Sequence, residues 1–215
     1  MELLNQTVAL FHKGGPVMYL LLACSLFVVA VAVERFLYYR NQSVNSRSFH
    51  QQLLPLLEKQ RFDEAAQVCE QAPAAIAKVA LAGLQAFRRG SQVENALESA
   101  AALTSARLRE YLDDLSMIVT IAPLLGLLGT VIGMINSFSV FNVQSGQPMA
   151  ITGGVGEALV ATATGLSVAI LALVIHACFS RRVNHLVIDI EQTAALIISH
   201  MVIKKTGRRE AHEIA

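Results

Sequence analysis

The sequence predicts an all-α membrane protein with three transmembrane helices and long helical extensions on one side of the membrane. Three observations carry this. Of 215 residues, 54% are hydrophobic and 15% charged, where a soluble domain carries about a quarter charged residues. Residues 14–33 hold no Asp, Glu, Lys or Arg, none stands between Asp114 and Glu157, and none between Glu157 and Arg181. At about 1.5 Å of rise per helical residue, such runs supply the roughly 20 residues that cross a bilayer. The intervening segment instead spreads its charges evenly and keeps apolar residues at helical spacing, which predicts helices in water.

Residues 1–13 form a short arm ending in His12 and Lys13, and Gly14-Gly15-Pro16 then breaks and restarts the chain. The first span covers 14–33 and closes on a charged, aromatic boundary, Glu34-Arg35-Phe36-Leu37-Tyr38-Tyr39-Arg40. A signal peptide would have a shorter apolar core and a small-residue cleavage site, so an uncleaved span is expected. Residues 34–114 read as a helical domain. Phe49, Leu53, Leu56 and Leu57 make one stripe, Phe62, Ala65, Ala66 and Cys69 a second before Pro73, and Val79, Leu81, Leu84 and Phe87 a third that stops near Gly90. Ser91 and Glu94 have capping-box spacing. From there an apolar face through Leu97, Ala101, Thr104, Leu108, Tyr111, Leu112 and Leu115 predicts one unbroken helix over 92–141, entering the second span at 115–141.

Pro123 should kink that span, because its ring removes a backbone hydrogen bond. Gly129 and Gly133 have the small-x-x-x-small spacing of close helix contacts in lipid, with Gly126 one turn earlier. These glycines, with Gly165, are read as helix-packing residues, and the glycines and small residues of the second and third spans are expected to hold a homo-oligomer. A polar loop over 142–154 leads to a third span at 155–180, and the stripe Val183, Leu186, Val187, Ile190, Ala194, Ile197, Ile198 and Met201 extends it as a helix to about residue 204. The charged tail beyond is expected to fray, completing a terminal segment of 181–215. Lys13 is the one basic residue on the side of the amino terminus and the 142–154 loop; the other basic residues of the 17 fall on the opposite side or at its boundary. By the positive-inside rule, 34–114 and 181–215 are cytoplasmic and the amino terminus is external.

No enzyme chemistry is suggested. The spacings of His-Glu-x-x-His, Gly-x-Ser-x-Gly and a phosphate-binding glycine loop are absent, and the three cysteines, Cys24, Cys69 and Cys178, suggest neither metal spacing nor a disulfide framework. No cofactor is expected. The net charge of +1 gives no reason to propose nucleic acid as a partner, whereas lipid surrounds the spans. The candidate site is Glu157, an acid inside or at the mouth of a span, where an ionisable group costs at least about 2.5 kcal/mol unless it meets protein or water. Thr130, Thr162 and Thr164 offer a polar strip beside it; the alternative is that they bond to their own helix carbonyls. Glu157 and Thr162 lie about 140° apart on a helix, whereas Thr164 falls almost directly below Glu157.

Two segments carry a resemblance. Residues 122–135, APLLGLLGTVIGMI, resemble the second-span motif of the ExbB/TolQ/MotA proton-channel family, and residues 156–166, GEALVATATGL, resemble its third-span motif. The resemblance implies a bacterial inner-membrane protein assembled as a pentameric ring around the single membrane helices of an ExbD- or TolR-like partner. Proton flow would then drive work on a TonB- or TolA-like effector, most like the ExbB subunit of outer-membrane uptake. Thr130 matches the family's second-span threonine, and Glu157 and Thr162 its third-span acid and threonine. Family members commonly follow Ala-Ile in the third span with proline; here Ala169-Ile170 precedes Leu171, which removes the expected kink there. A TolQ-like role in the Tol-Pal envelope-integrity system and a non-conducting membrane scaffold are the alternatives.

Overall fold

The computed structural model describes residues 15–42, 46–143 and 148–213, all helical apart from short connections. The 1–13 arm and residues 144–147 of the expected loop lie outside the described residues. Seven helices are present among them: α1 (Val17–Gln42), α2 (Ser46–Glu58), α3 (Phe62–Gln71), α4 (Ala75–Arg88), α5 (Val93–Arg109), α6 (Leu112–Val143) and α7 (Pro148–Glu213). Three helical stretches, carried by α1, α6 and α7, are long and apolar enough to cross a membrane. The chain is a multi-pass membrane protein. It divides into two units, Met1–Glu34 with Tyr111–Cys178 and Arg35–Glu110 with Phe179–Ala215.

In the second of these, α2 packs on α3, α3 on α4 and α4 on α5. Of the predicted stripes, Phe49, Leu53, Leu57, Ala65, Cys69, Val79 and Leu84 are within 3% of full burial, whereas Leu56, Phe62, Ala66, Leu81 and Phe87 are half-buried. Phe62 and Phe87 stack with ring centroids 4.8 Å apart. Gly83 admits Leu97 so closely that a methyl group there would lie 2.7 Å from its Cγ, which sets the α4–α5 separation. The carboxyl-terminal half of α7 is tied in by a polar contact. Thr193, fully buried, donates its hydroxyl proton to Asp189 O at 2.7 Å, so His50 Nε2, 2.7 Å away, is the donor in the second bond.

Two expectations about α5 are corrected. It starts without a capping box, since Gln92 is its N-cap and makes no side-chain cap. Nor does it continue into the membrane: Glu110 is extended at φ −49° and ψ 137°, Tyr111 takes φ +64°, and α6 starts afresh at Leu112. The break is stabilised from both sides. Tyr39 Oη donates to Leu108 O at 2.8 Å and Arg35 Nη1 to Arg107 O at 3.3 Å, satisfying carbonyls that a helix end leaves open. Arg35, buried beside the Tyr38 ring, also meets Glu110 at 3.3 Å. Arg107 and Arg109 then close one helix dipole while Asp113 and Asp114 open the next.

The third-span helix behaves as expected past Arg181, where α7 is unbroken, and it extends further than predicted at both ends. It begins at Pro148, so Gly153 and Gly154 lie in its first two turns instead of in a loop. The charged tail is helical to Glu213, where fraying from residue 204 was expected.

Candidate functional site

The first unit is built on contact between α6 and α7, and the contact is made of residues with almost no side chain. A methyl group on Gly126 would lie 3.1 Å from Thr162 Cα, and one on Gly165 2.6 Å from Ala122 O and 2.9 Å from Gly126 Cα. Gly129 faces the Ala161 methyl, and Gly133 meets Gly154 O at 2.9 Å and Ala158 Cβ at 3.2 Å, measured from the same imagined methyl position. As α6 is read forward, α7 is read backward. Gly154, Ala158, Ala161 and Gly165 thus form the matching small stripe, and backbones approach as lipid-embedded helices require. Gly126, Gly129, Gly133 and Gly165 therefore pack helices inside one chain. The start of α1 completes the unit: Val17, Met18 and Leu21 are buried with Ala122, Val168 and Ala169.

The structure separates the candidate polar residues. Thr162 lies within the α6–α7 seam, its hydroxyl 3.2 Å from Gly126 O and 3.3 Å from Ala158 O, so its one proton serves both the seam and its own helix. Thr130 donates to Leu127 O of its own helix at 2.6 Å and sits on an open face of α6. With Val131, Met134, Ile135 and Phe138 it lines a shallow concavity. Thr164 is half-buried and bonds to Val160 O at 2.8 Å. Back-bonding is thus the local state of all three threonines, with Thr162 alone reaching a second helix.

Glu157 goes elsewhere. Its carboxylate lies against Gly15, just before α1, where it fills the space a side chain on that glycine would need. Within one chain, then, the acid meets neither Thr130 nor Thr162. Sequence reasoning treated Gly14-Gly15-Pro16 only as a helix breaker and did not connect it with the acid. It also missed Gly154, Ala158 and Ala161, although their spacing with Gly165 mirrors that of the α6 glycines.

A family model described as the MotA/TolQ/ExbB proton channel family matches residues 71–192, more than half of the chain. The chain belongs to the MotA/TolQ/ExbB proton channel family. It is a channel-family membrane protein, not an enzyme. Among relatives, it is 34% identical over 171 residues to an ExbB-like biopolymer transport protein of Synechocystis, covering 77% of this chain and 67% of that one. It is 29% identical over 184 residues to an ExbB homolog of Methanothermobacter thermautotrophicus, covering 85% and 66%. It is 38% identical over 85 residues to the biopolymer transport protein ExbB of Salmonella typhimurium, covering 39% and 35%. The chain thus spans about two thirds of the length of the first two relatives and about a third of the last. The family match includes α6 and the part of α7 that holds Glu157, Thr162 and Thr164, and it begins downstream of α1.

Proposed function

We propose that this chain is an ExbB-like subunit of a proton-driven motor in a bacterial inner membrane, and that Glu157 is the acid on its proton route. The observation that carries the reading is the solitude of that acid: it is the one charged residue between Asp114 and Arg181, placed at the amino-terminal end of a spanning helix in a proton-channel family. A proton crossing 100 mV releases about 2.3 kcal/mol, which a motor can use only if each transfer is tied to a step. This chain offers no acid deeper in its spans. The carboxylate that shuttles is accordingly assigned to a single-span partner like ExbD or TolR, and this chain to the ring around it, with a TonB-like effector receiving the work.

Incompleteness of the single chain supports a ring, which we take to be a pentamer. The Thr130 hydroxyl bonds its own helix on an open face of α6 while the Glu157 carboxylate lies against Gly15, and a neighbouring copy would close a route that uses both. Most of the span surface is also uncovered: of the most apolar window in the three span stretches, 28%, 22% and 33% is buried. Lipid, neighbouring copies and the partner share the remainder. The helical unit of residues 35–110 and 179–215 is placed in the cytoplasm and the amino terminus in the periplasm by the distribution of Lys and Arg.

Proton uptake into vesicles holding the full chain and an ExbD-like partner, driven by an imposed potential, tests the reading. The expected result is partner-dependent flux that Glu157→Gln and Glu157→Ala both abolish while assembly persists. Retained flux in Glu157→Gln would make the residue a structural hydrogen-bonding group, since an amide forms most of the same bonds without ionising. Absence of flux in every chain tested with the partner would favour a scaffold.

A further inference from the structure

We propose that Gly15 is the positioning residue for Glu157: the turn that opens α1 holds the acid's carboxylate against bare backbone, and only glycine at this place leaves room for it. The proposal rests on the reading of Glu157 as the channel acid, but its geometry stands by itself. Two independent features require glycine. The backbone at Gly15 has φ +70°, a conformation that side chains resist. The space beside it is also taken, because a methyl group on Gly15 would clash with Glu157 Oε1 and lie 3.2 Å from Cδ and 3.7 Å from Cγ. The end of the acid therefore lies across the glycine as a whole, and does not merely touch it with one atom.

Gly15 is a fixed point for this contact. Its carbonyl accepts from Met18 N at 3.2 Å, closing the turn, and the Val17 and Met18 side chains that follow are 3% and 4% exposed, packed with Ala122, Val168 and Ala169. The glycine cannot move aside without pulling two residues out of this cluster. Glu157 is consequently held toward α1, while Thr162 is bonded across to α6 and Thr130 lies on α6's open face. For the carboxylate to approach either threonine, its side chain must first leave Gly15, so the opening turn of α1 sets the resting position from which the acid departs. The family model's match starts at residue 71, downstream of α1 and Gly15.

The test reads where the carboxyl is, independently of transport. The purified full chain in mild detergent is treated with a membrane-permeant carbodiimide and the modification of residue 157 is followed by peptide mass spectrometry, for the unmodified chain, Gly15→Ala, Glu157→Asp and the double variant. A methyl forced into occupied space displaces the carboxyl, and we expect labelling in Gly15→Ala to rise about fivefold or more. Aspartate puts its carboxyl carbon at the glutamate Cγ position and its oxygens no further than about the Cδ position, 3.2 Å from the new methyl and clear of the clash at Oε1, so Gly15→Ala should raise labelling much less in the Glu157→Asp background. A rate unchanged or lowered in Gly15→Ala would overturn the proposal. If the strained backbone keeps Gly15→Ala from folding, Gly15→Asn, which tolerates the left-handed conformation yet carries the same Cβ, takes its place, and labelling unchanged in it overturns the proposal equally. Loss of the function proposed above would show in vesicle flux and leave this labelling pattern standing.

Discussion

Thr130 and Thr162 look interchangeable as sequence, yet they occupy different physical situations, and their valine variants should separate structure from function. Thr162→Val removes a hydroxyl shared between Gly126 O and its own helix, so stability should fall by about 0.6 kcal/mol, the usual worth of such bonds between membrane helices. Thr130→Val loses only a bond to Leu127 O on an open face, so the melting curve should not shift. Any flux lost in Thr130→Val then reports on the proton route and not on folding. Thermal melts beside vesicle flux check both. In the other unit, burial and the neighbouring Glu70 push the Cys69 thiol up from 9.0 to about 12. A raised acid of this kind contributes stability fully below pH 9 and loses it as pH rises toward 12. Relative to Cys69→Ala, the unmodified chain should therefore lose up to about 1.4 kcal/mol per pH unit above 9, measured by denaturation at successive pH values. What the sequence could reveal at this scale was residue type: a lone acid in an apolar run names itself. Where Glu157 points could not be read, because its neighbour Gly15 is 142 positions away and a glycine beside a proline explains itself locally as a helix start.

For single elements, the α6–α7 seam makes a demand that assembly does not. Since Gly165 meets Ala122 O and Gly126 within the same chain, Gly165→Leu should destabilise the dilute, detergent-dispersed chain itself. The expected loss is about 1–3 kcal/mol from overpacking, seen as a lower melting midpoint that does not depend on protein concentration. A midpoint that falls only as copies associate would return the glycines to an interface between chains. The helices of the 35–110 segment were legible, because their stripes have the helical period and Gly and Pro punctuate them at Pro73 and Gly90. The break at Glu110-Tyr111 was not, although its signals were present. Arg107 and Arg109 end a helix as Asp113 and Asp114 begin another, but an apolar face running without interruption from Leu97 to Leu115 outweighed them. The deciding interactions come from Arg35 and Tyr39, about 70 residues upstream, whose side chains bind the last carbonyls of α5. No local pattern encodes that contact.

At the scale of the whole molecule, the single chain places its acid by α1, one threonine inside the helix seam and another on an open face, with no hydrogen bond between the acid and either threonine among the described residues. In the ring proposed above, neighbours complete the route, and the exposed apolar faces of α1, α6 and α7 offer the surface for them: Tyr19, Leu26, Leu124, Leu127, Leu159 and Ile170 are all more than half exposed in isolation. Three spans and a helical unit beside them were legible from hydropathy and charge alone, because a bilayer's thickness fixes the length of what crosses it. Assembly was expected from the glycines of the second and third spans and from the resemblance, and no intrachain contact records it. Native mass spectrometry of the full chain released from mild detergent tests the requirement for neighbours most directly. The expected result is a discrete homo-oligomer, a pentamer in the ring proposed, present with the partner and without it. A monodisperse monomer under both conditions would contradict it.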